Sequence, residues 1–240
     1  MSTPTSYQRV GDVATDPADY DWQNHVKYLR FDGSNDALVT NSIDFTATDK
    51  MSVFAGVRKL SDAAVGIALE LGPSYVTNGG SFVVAAPGST PSAYSLGLRG
   101  TSAAALYASA PAPTTNVISA GLDISGATVT DEIQLRNNAV LSTSVEAAGP
   151  AGTGNFRNSP LYLGARAGTS LYFNGRIYSL IVLGRTVTPT ELTQTEGYVE
   201  SKTFGKDMSY VYTDELLGPD GEQLLVTAGG EPLFMNERYE

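Results

Sequence analysis

Apolar and polar residues alternate along this chain in short runs that end at Gly, Pro, Asp or Asn. The runs "VKYLRFDG" from Val26, "DALVT" from Asp36 and "DEIQLRNNAVLSTS" from Asp131 all show a period of two. Such a period places successive side chains on opposite faces of a β-strand. Comparable runs recur every roughly ten to fifteen residues, which predicts an antiparallel sandwich of many short strands.

Three details of this pattern are more specific. The run "MSVFAGVRKL" from Met51 is apolar on nearly both sides, as expected for a central strand covered on two faces. A hairpin is predicted at Asn137–Asn138, because Asn tolerates the positive φ of a tight turn, with Ile133 and Leu135 facing Val140. In "LYFNGRIYSLIVLG", Gly175 permits a bulge or a close backbone approach.

One segment predicts a helix. Thr188 is a suitable N-cap, Pro189 occupies the first helical position, and Glu191 completes a capping box. Gly205 is expected to end the helix in the left-handed conformation. Leu192 and Val199 share one face, which we expect to pack on the sandwich.

Composition narrows the class of protein. The 240 residues carry a formal charge of −10, and the arginines are scattered singly, which argues against nucleic-acid binding. Cysteine is absent, so disulfides and thiolate sites are excluded. No apolar run reaches the ~20 residues of a membrane span, and the N-terminus lacks a secretory pattern. We therefore expect that the chain does not insert into a membrane. We expect it to assemble in the cytoplasm of a bacterial host.

The strand patterns also resemble a known family. "YLRFDGSNDALVT", the Asn hairpin, and "FNGRIYSLIVLGRTVTPTELTQTEGYVESKTFG" together resemble laminin-G-like, concanavalin A-like jelly-roll domains over about residues 26–205. The segment "FDGSNDALVTNSIDFTATDKMSVFAGVRKLSD" is similar to such domains in virion proteins of tailed phages and prophages. The resemblance implies an all-β, two-sheet antiparallel jelly roll with one short C-terminal helix and extended terminal arms.

Catalytic chemistry is not indicated. Glycosidases on related jelly rolls use the pattern Glu-x-Asp-x-x-Glu, which is absent here. Asp131 and Glu132 are adjacent, so a strand would point them to opposite faces. His25 is the only histidine and has no nearby Ser and Asp partners in the sequence. We therefore predict no catalytic residue, no enzyme activity and no cofactor.

A turn in "FDGSND" gathers Asp32, Asn35 and Asp36, and some laminin-G-like domains hold calcium in such loops. Calcium takes about 6 to 8 oxygen ligands, more than these residues supply. Asp and Asn are also ordinary turn-forming residues. The turn is the favoured interpretation, and no metal site is predicted.

Sugar binding would use exposed aromatic rings as flat apolar platforms. Tyr75, Tyr94 and Tyr107 lie in or beside the long loops of residues 72–113, where such a platform could form. Tyr is also common on sandwich strands as part of the core edge, so both interpretations stay open.

The C-terminal segment carries recurrent apolar pairs between Gly-rich turns: Leu216, Leu217, Leu224, Leu225, Leu233 and Phe234. A segment of ~35 residues buries too little surface to fold alone, so these side chains need a partner surface. That surface is either a neighbouring subunit or the chain's own domain. The first alternative predicts an N-terminal arm at 1–24, a jelly-roll domain at 25–205 and a docking arm at 206–240.

Two functions follow from these expectations. The first is a structural protein of a tailed-phage virion, either a capsid decoration or head fibre or a tail appendage. Its jelly roll is displayed outward, and it is anchored to other virion proteins as a homo-oligomer, for which phage appendages suggest a trimer. The alternative is a glycan-binding module for host attachment, whose partner is a host surface glycan.

Overall fold

The computed structural model describes residues 26–205 in full, and it describes the backbone of four short strands outside that range. The strands are β1 (Tyr7–Val10), β2 (Tyr20–Gln23), β3 (Val26–Asp32), β4 (Ala37–Thr40), β5 (Ile43–Asp44), β6 (Lys50–Lys59), β7 (Ile67–Leu71), β8 (Ser81–Ala85), β9 (Ala93–Arg99), β10 (Ala103–Ser109), β11 (Thr114–Asp123), β12 (Ile133–Asn137), β13 (Val140–Leu141), β14 (Val145–Ala148), β15 (Asn158–Ser159), β16 (Leu161–Leu163), β17 (Asn174–Leu183), β18 (Leu225–Val226) and β19 (Pro232–Leu233). The helices are α1 (Val129–Glu132) and α2 (Pro189–Phe204).

The strands form two large antiparallel sheets. The eight-stranded sheet has the order β1-β4-β16-β7-β8-β9-β10-β14, and the seven-stranded sheet has the order β13-β12-β11-β6-β17-β3-β2. Seven of the thirteen neighbouring strand pairs join strands that are not consecutive in the chain, as in a jelly roll, whereas β7 to β10 follow one another as a meander. The predicted two-sheet jelly-roll sandwich with one short C-terminal helix is confirmed.

The core lies between the two sheets and follows the alternation read from the sequence. On β6 the residues Met51, Val53, Ala55 and Val57 face the other sheet, and β6 is central between β11 and β17. Phe54 on the opposite face of β6 is equally buried, beneath α2. The predicted central strand, covered on both faces, is confirmed.

Helix α2 begins and ends as its sequence predicts. Thr188 and Glu191 form the capping box, and Gly205 ends the helix with a left-handed φ of 66°. Leu192 and Val199 pack on Phe54 of the seven-stranded sheet, as expected. Contact is close because Gly56 on β6 has no side chain: a Cβ there would lie 1.9 Å from Oγ1 of Thr203.

A buried ion pair also fixes α2 on the sheet. Arg136 Nε donates to Glu196 Oε1 over 2.7 Å, and the Ser119 hydroxyl donates to the same oxygen. Glu196 and Ser119 are buried, so these polar groups are satisfied where water is largely excluded.

Three local predictions need correction or refinement. The hairpin turn lies at Asn138–Ala139, where both residues have positive φ, so Asn137 pairs with Val140. Gly175 does allow a close backbone approach, because a Cβ there would meet the Arg58 carbonyl oxygen at 2.2 Å. The bulge in β17 falls later, between Ile177 and Ser179.

The predicted N-terminal arm contributes strands to both sheets. Strand β1 pairs with β4 at the edge of one sheet, and β2 pairs with β3 at the edge of the other. His25 lies outside the described residues.

The chain divides into two compact units, Met1–Asp207 and Met208–Glu240. In the second unit, β18 and β19 form a small antiparallel ladder in which Leu225 is opposite Leu233. The side chains of these two residues, and all of Leu216, Leu217, Leu224 and Phe234, lie outside the described residues. Their predicted role in docking stays a prediction.

Candidate functional site

The outward face of the eight-stranded sheet has a floor of small residues. On β8, β9 and β10 most of the larger residues point into the core, whereas Ala85, Ser95, Gly97 and Ala105 line a groove on the opposite face. Small side chains leave the sheet surface low at this point. The result is a depression over β8, β9 and β10 instead of a flat surface.

Loops and an edge strand raise the walls of this groove. Tyr75 comes from the loop between β7 and β8, Arg166 and Leu171 come from the segment between β16 and β17, and Ala147 comes from edge strand β14. The volume of the groove is about 380 Å³. This lies within the volume range of small-molecule binding pockets, about 300–1,000 Å³.

Tyr75 is held in the groove by two contacts. Its ring lies against the backbone of Gly97, where an added Cβ would come within 2.4 Å of Cε2. Its backbone N–H donates to Glu70 Oε1 over 2.7 Å. The aromatic ring is therefore fixed by the floor of the groove and by a buried carboxylate below it.

Glu70 connects the two walls. It is fully buried on β7, and it accepts a hydrogen bond from Arg166 Nε at 3.1 Å as well as the bond from Tyr75. The guanidinium carbon of Arg166 lies 5.8 Å from the centre of the Tyr75 ring, within cation–π range. One carboxylate thus sets the positions of an aromatic ring and a cation.

The electrostatics of this cluster follow from burial. Burial raises the pKa of Glu70, and the hydrogen bonds from Arg166 and the Tyr75 N–H partly oppose that rise. Burial likewise raises the pKa of Tyr75, so its hydroxyl stays protonated near neutral pH. Arg166 is the one charged side chain among the described residues that line the groove.

Two of the three tyrosines predicted as a glycan platform meet at this site. Tyr75 and Tyr107 are both half-buried and line the same groove, although they lie on different elements. Whether they hold a sugar stays a prediction. Tyr107 points outward from β10, since its neighbours Leu106 and Ala108 belong to the core.

The assignment of Tyr94 is corrected by the structure. Tyr94 shares its strand face with Leu96 and Leu98, and all three point into the core. Only 1% of Tyr94 is exposed, and its hydroxyl is 3.1 Å from Asn116 Oδ1. Strand alternation therefore buries this ring, and it cannot offer a face to a ligand.

Sequence reasoning missed Glu70, Gly97 and Arg166. Glu70 gave a signal, because a carboxylate inside the apolar run "IALEL" needs a buried partner. Arg166 lies 96 residues further along the chain, so nothing local indicates that it is that partner. Gly97 carried no signal beyond being a glycine within a strand.

The acidic residues of the predicted turn at residues 32–36 form hydrogen bonds within that turn. Asp32 Oδ1 accepts the N–H of Ser34 at 2.7 Å, and Asp36 Oδ2 accepts the N–H of Asp32 at 2.9 Å, so both carboxylates stabilise the turn. Within the part of the chain that the structure describes, no group of three or more His, Asp or Glu side chains is placed to hold a metal. Glu132 ends α1 instead of lying on a strand, and it accepts the N–H of Ala151 at 2.8 Å.

Comparisons with known proteins identify the fold. No family model matches the chain, and no curated protein matches its sequence. Among solved structures, the binding domain of botulinum neurotoxin serotype G matches 82% of this chain with a TM-score of 0.56 and 13% identity. A botulinum neurotoxin type C structure, titled for cell entry dependent on two ganglioside molecules, matches 80% with a TM-score of 0.54 and 8% identity.

The receptor-binding domain of botulinum neurotoxin D matches 79% of the chain with a TM-score of 0.52 and 10% identity. The chain spans about half the length of each of these structures, between 46% and 48%. At such identities the likeness shows a shared β-sandwich fold. None of the three titles describes a virion protein, so the predicted phage role gains no support from them and stays a prediction.

A helix can cross a membrane only if it is long and apolar enough. Neither α1 nor α2 has the length and apolar character needed to cross a bilayer.

Proposed function

We propose that this chain is a non-enzymatic carbohydrate-binding module and that the groove on its eight-stranded sheet is the binding site. The observation that carries the proposal is the meeting of Tyr75, Tyr107 and Arg166 around a floor of small residues. Supporting it, structures of the same fold are named as receptor-binding domains, and one title names gangliosides, which are glycolipids.

The groove offers the two kinds of contact that a sugar ring requires. A pyranose has an apolar face of C–H groups, which packs on an aromatic ring such as Tyr107. Its hydroxyls need directional partners, and the Ser95 hydroxyl and the Arg166 guanidinium line the same space. Because Glu70 already holds Arg166 at Nε, the terminal nitrogens of the guanidinium can donate to a ligand without first losing much rotamer freedom.

A glycan array probed with the full chain tests whether it binds sugars, and calorimetry on the best ligand then measures the affinity. Tyr107→Ala removes an outward ring without disturbing the core, and we expect affinity to fall at least about tenfold, which equals about 1.4 kcal/mol. Tyr198→Ala is the matched control, because Tyr198 is exposed on α2, which packs on the other sheet.

Two results would overturn the proposal. One is the absence of saturable binding to any glycan on the array. The other is binding that survives both Tyr107→Ala and Arg166→Gln, since the ligand would then occupy a different surface. Loss of affinity in the Tyr198→Ala control would equally show that the effect is not local to the groove.

The setting in which such a module acts is a separate proposal. A module of this kind on the outside of a tailed-phage particle would serve host attachment. The support for that setting is the resemblance of residues 31–62 to virion proteins of tailed phages and prophages. Locating the chain by electron microscopy in purified particles of a phage that encodes it tests this directly. Particles without density for the chain would remove the virion setting and leave glycan binding untouched.

A further inference from the structure

Two arginines lie near Tyr75, one of the aromatic rings that line the groove. The guanidinium carbon of Arg166 is 5.8 Å from the centre of the Tyr75 ring. Arg99 follows Gly97 by two positions on β9, and the same ring lies against Gly97. Because Leu98 between them belongs to the core, strand alternation turns Gly97 and Arg99 to the face that carries the groove.

The charged groups around Tyr75 do not balance. Burial raises the pKa of the Tyr75 hydroxyl, and among its charged neighbours Arg166 and Arg99 oppose this rise while Glu70 adds to it. Two guanidinium groups and one carboxylate therefore act on the same ring. Among the described residues Arg99 forms no ion pair with a carboxylate. In a chain with a formal charge of −10, this local excess of positive charge favours an anionic group over a neutral one.

Arg166 has one edge of its guanidinium engaged by the protein. Its Nε donates to both oxygens of Glu70, over 3.3 Å to Oε1 and 3.1 Å to Oε2. The other N–H donors of the side chain belong to the terminal nitrogens Nη1 and Nη2, for which the described residues supply no acceptor. These two nitrogens present parallel N–H groups, which match the two oxygens of one carboxylate.

The remainder of the groove does not select for charge. Apart from Arg166, the polar side chains among its described lining residues are hydroxyls, those of Tyr75, Ser89, Ser95 and Tyr107. Only 21% of the Arg166 side chain is exposed, so a ligand in the groove removes its terminal nitrogens from water. Attraction between opposite charges becomes stronger as water is excluded. A ligand with a negative group at this position therefore gains more than a neutral ligand of the same shape.

We propose that the sugar bound in the groove is acidic, and that its carboxylate is held by Nη1 and Nη2 of Arg166 while Arg99 adds a longer-range attraction. The ligand class is a uronic acid or another carboxylated sugar. This proposal rests on the proposed function, because it names the class of sugar that the same groove takes. Glu70 is a positioning residue here, since it orients the guanidinium from below without touching the ligand.

Isothermal titration calorimetry of the full chain with the methyl glycosides of glucuronic acid and galacturonic acid tests this proposal. Each acid is compared with its own methyl ester, which keeps every hydroxyl and removes the charge. We expect at least one acid to bind at least about tenfold more tightly than its ester, the effect of charge-assisted hydrogen bonding. Added sodium chloride should reduce this ratio, because salt screens the attraction from Arg99.

Variants of the two arginines show which group holds the carboxylate. Arg166→Gln should bring the affinities for acid and ester to the same value. Because this variant leaves Glu70 buried without its cation, the double variant Glu70→Gln/Arg166→Gln is measured beside it; a neutral pair replaces the ion pair, and the same loss is expected. Arg99→Gln should reduce the ratio by about twofold, as for an exposed charge. Arg30→Gln is the control, since Arg30 is exposed on β3 of the other sheet.

Thermal unfolding confirms that each variant is folded before its binding is compared. If neither acid binds more tightly than its ester, or if a folded Glu70→Gln/Arg166→Gln variant keeps the preference of the wild type, Arg166 does not hold a carboxylate. A fall in Arg30→Gln equal to that in Arg166→Gln would overturn the proposal as well, because the attraction would then not be local. These results leave the proposed function intact if neutral glycans bind and Tyr107→Ala weakens them. The absence of binding to any glycan would overturn both.

Discussion

The ring of Tyr75 occupies the space that a side chain at position 97 would fill, with Cε2 only 2.4 Å from where a Cβ of Gly97 would lie. The position of the ring in the groove therefore depends on a glycine in the strand beneath it. Because the ring belongs to a loop at the surface, it can move aside when that space is taken.

This relationship predicts the effect of Gly97→Ala. The new methyl group displaces the Tyr75 ring, so glycan affinity should fall at least about threefold, while the fold persists because Ala destabilises a strand less than Gly does. Calorimetry and thermal unfolding measure the two effects. Gly121→Ala is the matched control, since its Cβ would meet only Gln134 Cβ at 3.8 Å. Unchanged affinity in Gly97→Ala would show that Tyr75 does not contact the ligand.

The buried position of Tyr94 predicts a change in stability without a change in binding. Tyr94→Phe removes the hydroxyl that bonds Asn116, and Asn116 Oδ1 keeps its hydrogen bond from Thr114. The free energy of unfolding should decrease by about 0.5–1.5 kcal/mol, the usual worth of one hydrogen bond. Denaturant unfolding and glycan titration of the same variant check both halves. A marked loss of glycan affinity would return Tyr94 to the list of binding residues.

The ion pair under α2 predicts a larger effect. Glu196→Ala leaves Arg136 and Ser119 without their shared acceptor, so the free energy of unfolding should fall by about 2–3 kcal/mol. Arg136 keeps 27% of its side chain exposed, which places the expected loss below that of a fully buried pair. Gln194→Ala, on the exposed side of the same helix, should have little effect. Equal losses in the two variants would show that the ion pair of Glu196 and Arg136 makes no specific contribution to stability.

The capping box of α2 predicts a pH dependence. Hydrogen bonds from Arg185 and from the Thr188 N–H lower the pKa of Glu191 to about 2 in the folded chain, from 4.5 in the absence of these contacts. A lowered pKa means that the folded state favours the charged form, so this contribution is full above pH 4.5 and is lost as the pH falls towards 2.

Thermal unfolding of the wild type and Glu191→Gln over this pH range tests that dependence. The wild type should be the more stable at neutral pH, and the difference in melting temperature should narrow as Glu191 becomes protonated. A difference that stays constant from neutral to acidic pH would show that the charge of Glu191 does not contribute.

Local sequence signals predicted the elements of this fold well. The capping box at Thr188 and Glu191, the left-handed stop at Gly205 and the double-sided burial of β6 all depend on residues within one turn or one strand. The hairpin turn was misplaced by one residue, because Asn137 and Asn138 both tolerate positive φ and the cross-strand register decides between them. The exact register of the β12–β13 hairpin is therefore decided by strand pairing in the folded chain and not by the local sequence.

The candidate site was predicted only in part. Tyr75 and Tyr107 stood out as aromatic residues near long loops, and the structure brings them to one groove. Tyr94 had the same local signal but the opposite orientation, since alternation within β9 aligns it with Leu96 and Leu98. The sequence does not show at which residue a strand begins or how it pairs with its neighbours. It therefore cannot show which face of the sheet a given tyrosine side chain occupies.

The alternation of apolar residues, the turn residues between runs and the capping signals of α2 determined by themselves that this chain forms an antiparallel sandwich with one C-terminal helix. Those signals act between residues close in sequence, so the sequence displays them directly. Tertiary structure alone decided that Glu70 meets Arg166 across 96 residues and that Arg99 and Arg166 both act on Tyr75. The reason is that strand order and register join distant segments, and no local pattern encodes which strands become neighbours.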